Sequence, residues 1–186
     1  MILKDIIKSA CVYLGDTAVA DYLGGNSVGT SAVLKKVNIY ANLCNIVIAE
    51  LAAGYIPMVA TETVALSDGK ALFSGFSYNL TRVLSVKDAT GGDIPYEIFP
   101  TYLKTDGLFN SCIVEYEYSP SNYGLTDTVG FKSSVSATLL SYGLCAEYCV
   151  TEGRFEEAVM WRKRFTDGVE RLILPKNSQT AARCWL

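Results

Sequence analysis

Histidine is absent from the sequence, so the commonest general base and the commonest imidazole metal ligand are both missing. A Ser-His-Asp triad or a Cys-His pair cannot form within this chain. Glycine and proline are sparse, at 15 and 5 of 186 residues, far below the share of a low-complexity chain. These absences exclude hydrolases built on a histidine base and argue against wholesale disorder.

Positive charge is also in short supply. The 16 Lys and Arg residues are outnumbered by 19 Asp and Glu residues, which leaves a net charge of −3 and a pI near 5.0. Such a balance argues against a basic surface that neutralises many phosphates, the main source of nucleic-acid affinity. Hydrophobic residues make up 50% of the chain, which is enough for a sizeable core.

Long uncharged apolar runs are missing as well. The opening stretch MILKDIIKSACVYLG carries Lys4, Asp5 and Lys8 inside its apolar pattern, so it lacks the uniform apolar region of a signal peptide. No run of about 18 apolar residues is free of charge. We therefore expect neither a secretory leader nor a membrane-spanning helix.

The six cysteines are scattered and form no CxxC pair. This pattern favours free, buried thiols made in a reducing cytosol, with a disulfide or metal cluster as the alternative. Cys145 and Cys149 lie one helical turn apart and could supply half of a zinc site, but core packing is the favoured interpretation. The cysteines are Cys11, Cys44, Cys112, Cys145, Cys149 and Cys184.

The first zone of the chain, residues 1–57, has helical periodicity. Apolar residues from Ile2 recur at helical spacing up to Gly15, a natural helix stop. The stretch GGNSVGTS predicts a flexible connection and fails the spacing of a phosphate-binding loop. Thr30 or Ser31 then offers an N-cap for a longer helix that ends near Ala53.

In residues 58–119 the period changes to two. Strands are predicted from Met58 to Leu66, from Leu80 to Lys87, from Ile94 to Phe99 and from Ser111 to Tyr118, with turns at residues 67–70 and 90–93. The pattern predicts one small antiparallel sheet of about four to six strands. Crossover helices are missing, which disfavours a doubly wound fold.

The last zone returns to helical periodicity. Helices are predicted over residues 128–150 and 154–172, with a short turn at residues 151–153 that makes them an antiparallel hairpin. Pro175 stops the second helix, and residues 175–186 show no amphipathic period.

These zones predict an α+β fold: an antiparallel helical bundle with an inserted small antiparallel sheet and an extended C-terminal arm. The predicted boundaries are 1–57 and 120–174 for the bundle, 58–119 for the β-rich insertion and 175–186 for the arm.

The sequence offers few candidate catalytic or ligand-binding residues. Glu115 and Glu117 lie two apart on a predicted strand, and a solvated or subunit-contacting role is favoured for them. The alternative is a cell-wall glycan hydrolase that uses one of them with a second acid. A third possibility is a small binding module. Tyr116, Tyr118 and Tyr123 could stack on bases, but no basic residues are interleaved with them.

The C-terminal arm, residues 175–186, gives a clearer functional signal than these candidates. Trp185 in a mobile segment would expose a large apolar surface. Tryptophan and arginine are frequent interface anchors, so Arg183 and Trp185 predict docking on a neighbouring chain. The alternative is that the arm folds back onto its own core.

The C-terminal half resembles head–tail adaptor (neck or tail-accessory) proteins of tailed bacteriophages. The resemblance lies in the run LLSYGLCAEYCVTEGRFEEAVMWRKRFTDGVERL followed by a basic spacer and RCWL. Its elements are Tyr142-Gly143, Ala146-Glu147-Tyr148, Gly153, Phe155-Glu156-Glu157-Ala158, Trp161, Arg164-Phe165, and Arg183 with Trp185. Upstream, AELAAGYIP before an Asp-Gly turn and the strand end VEYEYSP fit the same layout. The resemblance covers residues 140–186 best and the rest of the chain loosely.

The resemblance implies a structural, non-enzymatic virion protein without a cofactor. Such adaptors form a symmetric ring, usually of about twelve copies, that joins the portal to a downstream tail protein and extends the DNA channel. Here portal docking would use Lys176, Arg183, Trp185 and Leu186. DNA would pass at ejection without specific binding, since like charge prevents adhesion. The subunit would be made in the host cytoplasm and reside at the head–tail junction, with no membrane partner.

Overall fold

The structure, a computed structural model, describes residues 1–106, 109–131 and 135–173. Within these ranges it is a mixed α+β protein with five α-helices and two small antiparallel sheets, and the α+β class is confirmed. The helices are α1 (Leu3–Leu14), α2 (Thr17–Gly24), α3 (Ser31–Gly54), α4 (Ala137–Thr151) and α5 (Phe155–Ile173). The strands are β1 (Met58–Ala65), β2 (Lys70–Leu72), β3 (Asn79–Lys87), β4 (Tyr96–Ile98), β5 (Tyr102–Thr105) and β6 (Ser111–Ser119).

The chain divides into two compact units. The helical unit comprises residues 1–47 and the described residues from 135 onward, and the sheet unit comprises the described residues of 48–133. The boundaries predicted from the sequence stay predictions.

Two helices begin the helical unit. Leu3, Ile6, Ile7 and Ala10 are fully buried along one side of α1, and Gly15 ends it in the left-handed conformation at φ 73°, as the sequence predicted. Helix α2 was not predicted from the sequence pattern. Asp16 begins this helix by accepting a hydrogen bond from the Val19 amide at 3.5 Å.

Helix α3 begins where the sequence predicted. The Thr30 hydroxyl accepts a hydrogen bond from the Val33 amide at 3.3 Å, which is an N-cap bond. By length and composition alone, α3 could cross a membrane. Of its most apolar 18-residue stretch, 44% is buried in the protein. This is weak evidence for a span, because a core helix passes the same test. The expectation of no membrane-spanning helix therefore stays a prediction.

The prediction that α4 begins at Thr128 is wrong. Residues 128–131 and 135–136 are not helical, and α4 begins after Ser136, whose side chain accepts a hydrogen bond from the Leu139 amide at 3.1 Å. Ser136 itself is extended, so this cap sets the start of the helix. The short turn to α5 places Gly153 at φ 72°, and α5 runs antiparallel to α4, as predicted.

The sheet unit contains two three-stranded sheets, in the orders β1-β6-β3 and β2-β5-β4. The single sheet predicted from the sequence is therefore corrected to two. Asp68 and Gly69 both have positive φ, which is the tight turn expected of an Asp-Gly pair. However, β1 pairs with β6, whereas β2 after the turn pairs with β5.

Both sheets contribute to one core. Val64, Val83, Cys112, Val114 and Tyr116 from the first sheet are buried together with Ala71 and Leu103 from the second. Buried positions alternate along β6, so Glu115 and Glu117 lie on the face opposite Val114 and Tyr116, as the period of two predicted.

Candidate functional site

The α4–α5 hairpin carries most of the residues that resemble the phage adaptors, and two glycines let its helices approach closely. A Cβ atom on Gly143 would lie 2.6 Å from Val47 Cγ1 and 3.1 Å from the Phe165 ring. A Cβ atom on Gly168 would lie 2.5 Å from Leu139 Cδ1. Because these distances are below van der Waals contact, a larger residue at either position would force neighbouring side chains to shift.

An aromatic group lies beside this contact. The rings of Tyr13, Tyr142 and Trp161 have their centroids 5.6 to 5.7 Å apart in all three pairs. The Arg164 guanidinium lies 4.8 Å from the centre of the Trp161 ring, within cation–π distance. Tyr142, Trp161 and Arg164 all belong to the resemblance, and the structure brings them together.

Two ion pairs reinforce the hairpin. Arg162 of α5 contacts Glu147 of α4 at 2.5 Å, and Arg154 at the turn pairs with Glu157. The hydrogen bond from Arg154 lowers the pKa of the Glu157 carboxyl. Both pairs are partly exposed to solvent, so they contribute orientation more than stability.

The hairpin has an apolar groove on its surface. We call it the α4–α5 groove, a cavity of about 530 Å³ between the end of α4 and the first half of α5. Phe155 and Val159 in this groove are 65% and 70% exposed, and Val150 is 48% exposed. The groove is lined by Ala146, Val150, Phe155, Ala158, Val159, Arg162, Lys163, Thr166 and Asp167.

The apolar periodicity of the sequence does not reveal this groove. The apolar stripe that recurs at helical spacing along α5 is buried or half-buried, and it consists of Ala158, Trp161, Phe165, Val169 and Leu172. The signal that could have revealed the groove was Phe155 and Val159, two apolar residues four positions apart and outside that stripe.

Thiols and hydroxyls join α4 to α1. The Ser141 hydroxyl lies 2.9 Å from the Ile6 carbonyl oxygen, and the Cys145 thiol lies 3.7 Å from the Ala10 carbonyl oxygen. Burial raises the pKa of Cys11 and of Cys145 to about 12. These thiols are therefore protonated core groups and not nucleophiles.

The five described cysteines are buried and free, which confirms the prediction of buried thiols for them. Cys184 lies outside the described residues. Within the part of the chain that the structure describes, no group of three or more Cys, Asp or Glu side chains is placed to hold a metal ion.

A polar cluster lies beside the α4–α5 turn. Asp16, which caps α2, pairs with Lys36 of α3 at 2.9 Å and accepts a hydrogen bond from the Tyr40 hydroxyl at 3.4 Å. Burial raises the pKa of Tyr40, whose ring stacks on Tyr148 of α4 with the centroids 4.4 Å apart. The cluster ties three helices together.

In the sheet unit, the carboxylate of Glu62 on β1 has defined partners. Its carboxylate accepts hydrogen bonds from the Tyr116 hydroxyl and from the amide and hydroxyl of Ser77. Burial acts to raise the pKa of Glu62, but these hydrogen bonds outweigh it and lower the pKa below its ordinary value of 4.5. Glu62 therefore acts as a fixed acceptor.

Glu115 and Glu117, the acids of the hydrolase alternative, lie on one face of β6. Glu115 is opposite Thr61 on one side and Ser85 on the other, and Glu117 is opposite Val59 and Arg82. Directly facing cross-strand neighbours therefore supply no second acid to either of them. The hydrolase alternative stays untested.

The residues predicted to dock on a portal, Lys176, Arg183, Trp185 and Leu186, lie outside the described residues. No protein-family model matches the chain, and no curated protein matches it. The resemblance to the phage adaptors therefore rests on the residues quoted from the sequence and stays a hypothesis.

Proposed function

We propose that this chain is a structural subunit of the neck of a tailed phage. It would form a ring that joins the portal to the tail and extends the DNA channel. In this proposal α1, α3, α4 and α5 form the bundle, residues 58–119 are the β-rich insertion, and residues 175–186 are the arm that docks on the portal.

The α4–α5 hairpin carries the proposal. Tyr142, Gly143, Trp161, Arg164 and Phe165 belong to the resemblance, and they meet in one packed group. The residues that carry the resemblance therefore contact one another in the folded hairpin, as expected if they maintain its packing.

The exposed apolar residues on the same hairpin give further support. Phe155, Val159 and Met160 are 65%, 70% and 59% exposed within the first two turns of α5. Contiguous exposed apolar surface is typical of proteins that assemble with others. An assembly subunit accounts for this surface, whereas an isolated enzyme does not require it.

The test is to mix the purified full chain with the portal protein of the same phage and to measure mass by light scattering. We expect a complex that contains several copies of this chain per portal ring. A version ending at Leu174 should remain folded by circular dichroism and fail to join the complex. Normal assembly of the truncated chain would show that the arm does not dock.

A single substitution sharpens the test. Trp185→Ala should weaken binding to the portal by about 30-fold, the effect of losing a hot-spot side chain. Cys184→Ala is the matched control, because it shortens the adjacent side chain without removing the proposed anchor, and it should bind nearly as the natural chain does. Equal affinities for the two variants would contradict the assignment of Trp185.

A further inference from the structure

Among the described residues, no side chain shields the apolar end of the α4–α5 groove from solvent. Val150, Phe155 and Val159 form that end and are each about half exposed or more. The groove reaches Asp167 at its other end, which lies nearer the C-terminus of α5. A segment that enters from the end of α5 would therefore meet a carboxylate first and the apolar end second.

The sequence that follows α5 carries complementary residues in the matching order, a basic residue first and an apolar residue second. After Ile173 come Leu174 and Pro175, then a polar stretch, then Arg183, and two residues later Trp185. Proline cannot continue a helix, so the chain can turn back after α5. We propose that residues 181–186 occupy the α4–α5 groove of the same subunit, with Trp185 against Val159 and Arg183 beside Asp167.

The spacing within the groove fits this register. Asp167 and Lys163 are four positions apart on α5, which corresponds to a rise of about 6 Å. Arg183 and Trp185 are two positions apart, which spans about 7 Å in an extended chain. A tail that runs antiparallel to α5 with Arg183 at Asp167 therefore brings the backbone of Trp185 level with Lys163, and its side chain would cover the remaining helical turn of about 6 Å to Val159.

Charge supports the same register. Asp167 is exposed, and it forms no ion pair within the described part of the chain. Arg162 is engaged by Glu147, while Lys163 is exposed at the rim and repels a basic tail. Asp167 is the carboxylate that lines the groove, so it is the partner available to Arg183 there.

The length of the tail favours the subunit's own groove over that of a second copy. Val159 lies 14 positions before Ile173, or about 21 Å along the helix. Trp185 lies 12 positions after Ile173, and a flexible chain of that length has a root-mean-square span of about 19 Å. Effective concentration is highest when these lengths match, and it reaches the millimolar range for short linkers. A second copy at micromolar concentration cannot compete with it.

The inference goes beyond the proposed function, because it concerns the free subunit and holds whether or not the partner is a portal. The probe is the fluorescence of Trp185 in the full chain with Trp161→Phe, which leaves one tryptophan. We expect blue-shifted emission that iodide quenches several-fold less than it quenches a peptide of residues 174–186. Both properties should be independent of protein concentration, with light scattering showing a monomer.

Val159→Lys in this background should red-shift the emission and raise iodide quenching to the level of the peptide. Met160→Lys is the matched control, since Met160 is exposed on α5 but does not line the groove, and it should leave Trp185 protected. Asp167→Asn should raise quenching, whereas Glu170→Gln should not. Emission that is already peptide-like before Val159 is changed, or equal effects of the two lysine substitutions, would overturn the proposal.

Concentration-dependent protection together with a dimer mass would instead assign the groove to the tail of a second copy, which would also overturn the proposal. Portal binding separates this outcome from the function proposed above. Val159→Lys leaves Arg183 and Trp185 intact, so binding of a portal should persist in that variant if the neck function holds.

Discussion

The hydroxyl of Ser141 on α4 lies 2.9 Å from the main-chain oxygen of Ile6 on α1 and 2.8 Å from that of Ala137 on its own helix. One turn later, the Cys145 thiol repeats the contact with Ala10 of α1. Because both pairs advance by four residues in the same direction, α1 and α4 run parallel where they meet. A fully buried serine thus links two helices that are far apart in sequence.

Ser141→Ala should lower the free energy of unfolding by about 1 kcal/mol. The substitution removes a buried hydrogen bond and changes the side-chain volume only slightly. Urea denaturation followed by circular dichroism measures this loss. Ser9→Ala is the matched control, since the Ser9 hydroxyl bonds to Asp5 within α1 at a site open to solvent. Equal stability of the natural chain and Ser141→Ala would show that the link between the helices is not stabilising.

Gly143→Ala should destabilise the helical unit. The added methyl group would lie 2.6 Å from Val47, and overpacking of this kind costs about 1–3 kcal/mol. The gain in helix propensity, about 1 kcal/mol, offsets only part of that cost. We expect a lower midpoint in urea, and partial recovery in the double variant with Val47→Ala.

Gly54→Ala is the control for this experiment, because a Cβ atom there meets nothing within 4 Å. It should be neutral or slightly stabilising. If Gly143→Ala were as stable as Gly54→Ala, the close approach of α4 to Val47 and Phe165 would be wrong.

Glu62→Gln should reduce the dependence of stability on acid pH. The pKa of Glu62 is lower in the folded chain than its ordinary 4.5, so its contribution is present above pH 4.5 and is lost as the pH falls through the folded pKa. Urea midpoints across this range should converge for the natural chain and the variant at low pH. Glu97→Gln, at an exposed position on β4, should leave the curve unchanged. A constant difference between Glu62→Gln and the natural chain at every pH would contradict the assignment.

The buried thiols should react slowly with an aromatic disulfide reagent at pH 8. With the pKa of Cys11, Cys44 and Cys145 near 12, only about one part in ten thousand is thiolate at that pH. A Cys184→Ser chain restricts the count to the five described cysteines. We expect labelling only at the rate of unfolding, and five thiols per chain in denaturant. Rapid labelling of the folded chain would show that these thiols are accessible.

Much of the local structure could be predicted because its signals are local. Gly15 ends α1, Thr30 caps α3, and the alternation along β6 separates Val114 from Glu115, all through neighbours within a few residues. The missed helix α2 had an equally local cap in Asp16, but its eight residues gave too short a period to recognise. The late start of α4 at Ala137 was missed because Thr128 and Ser136 are both plausible caps.

The sequence by itself determined the absence of a histidine-based site, the α+β class, the limits of α1, α3 and α5, and the order of residues in the tail. Only the tertiary structure decided that β1 and β2 enter different sheets, that Gly143 faces Val47, and that Phe155 and Val159 remain exposed in a groove that reaches Asp167 at its other end. The physical reason is range: caps and periods act over a few residues, whereas strand partners and helix contacts join residues that are distant along the chain.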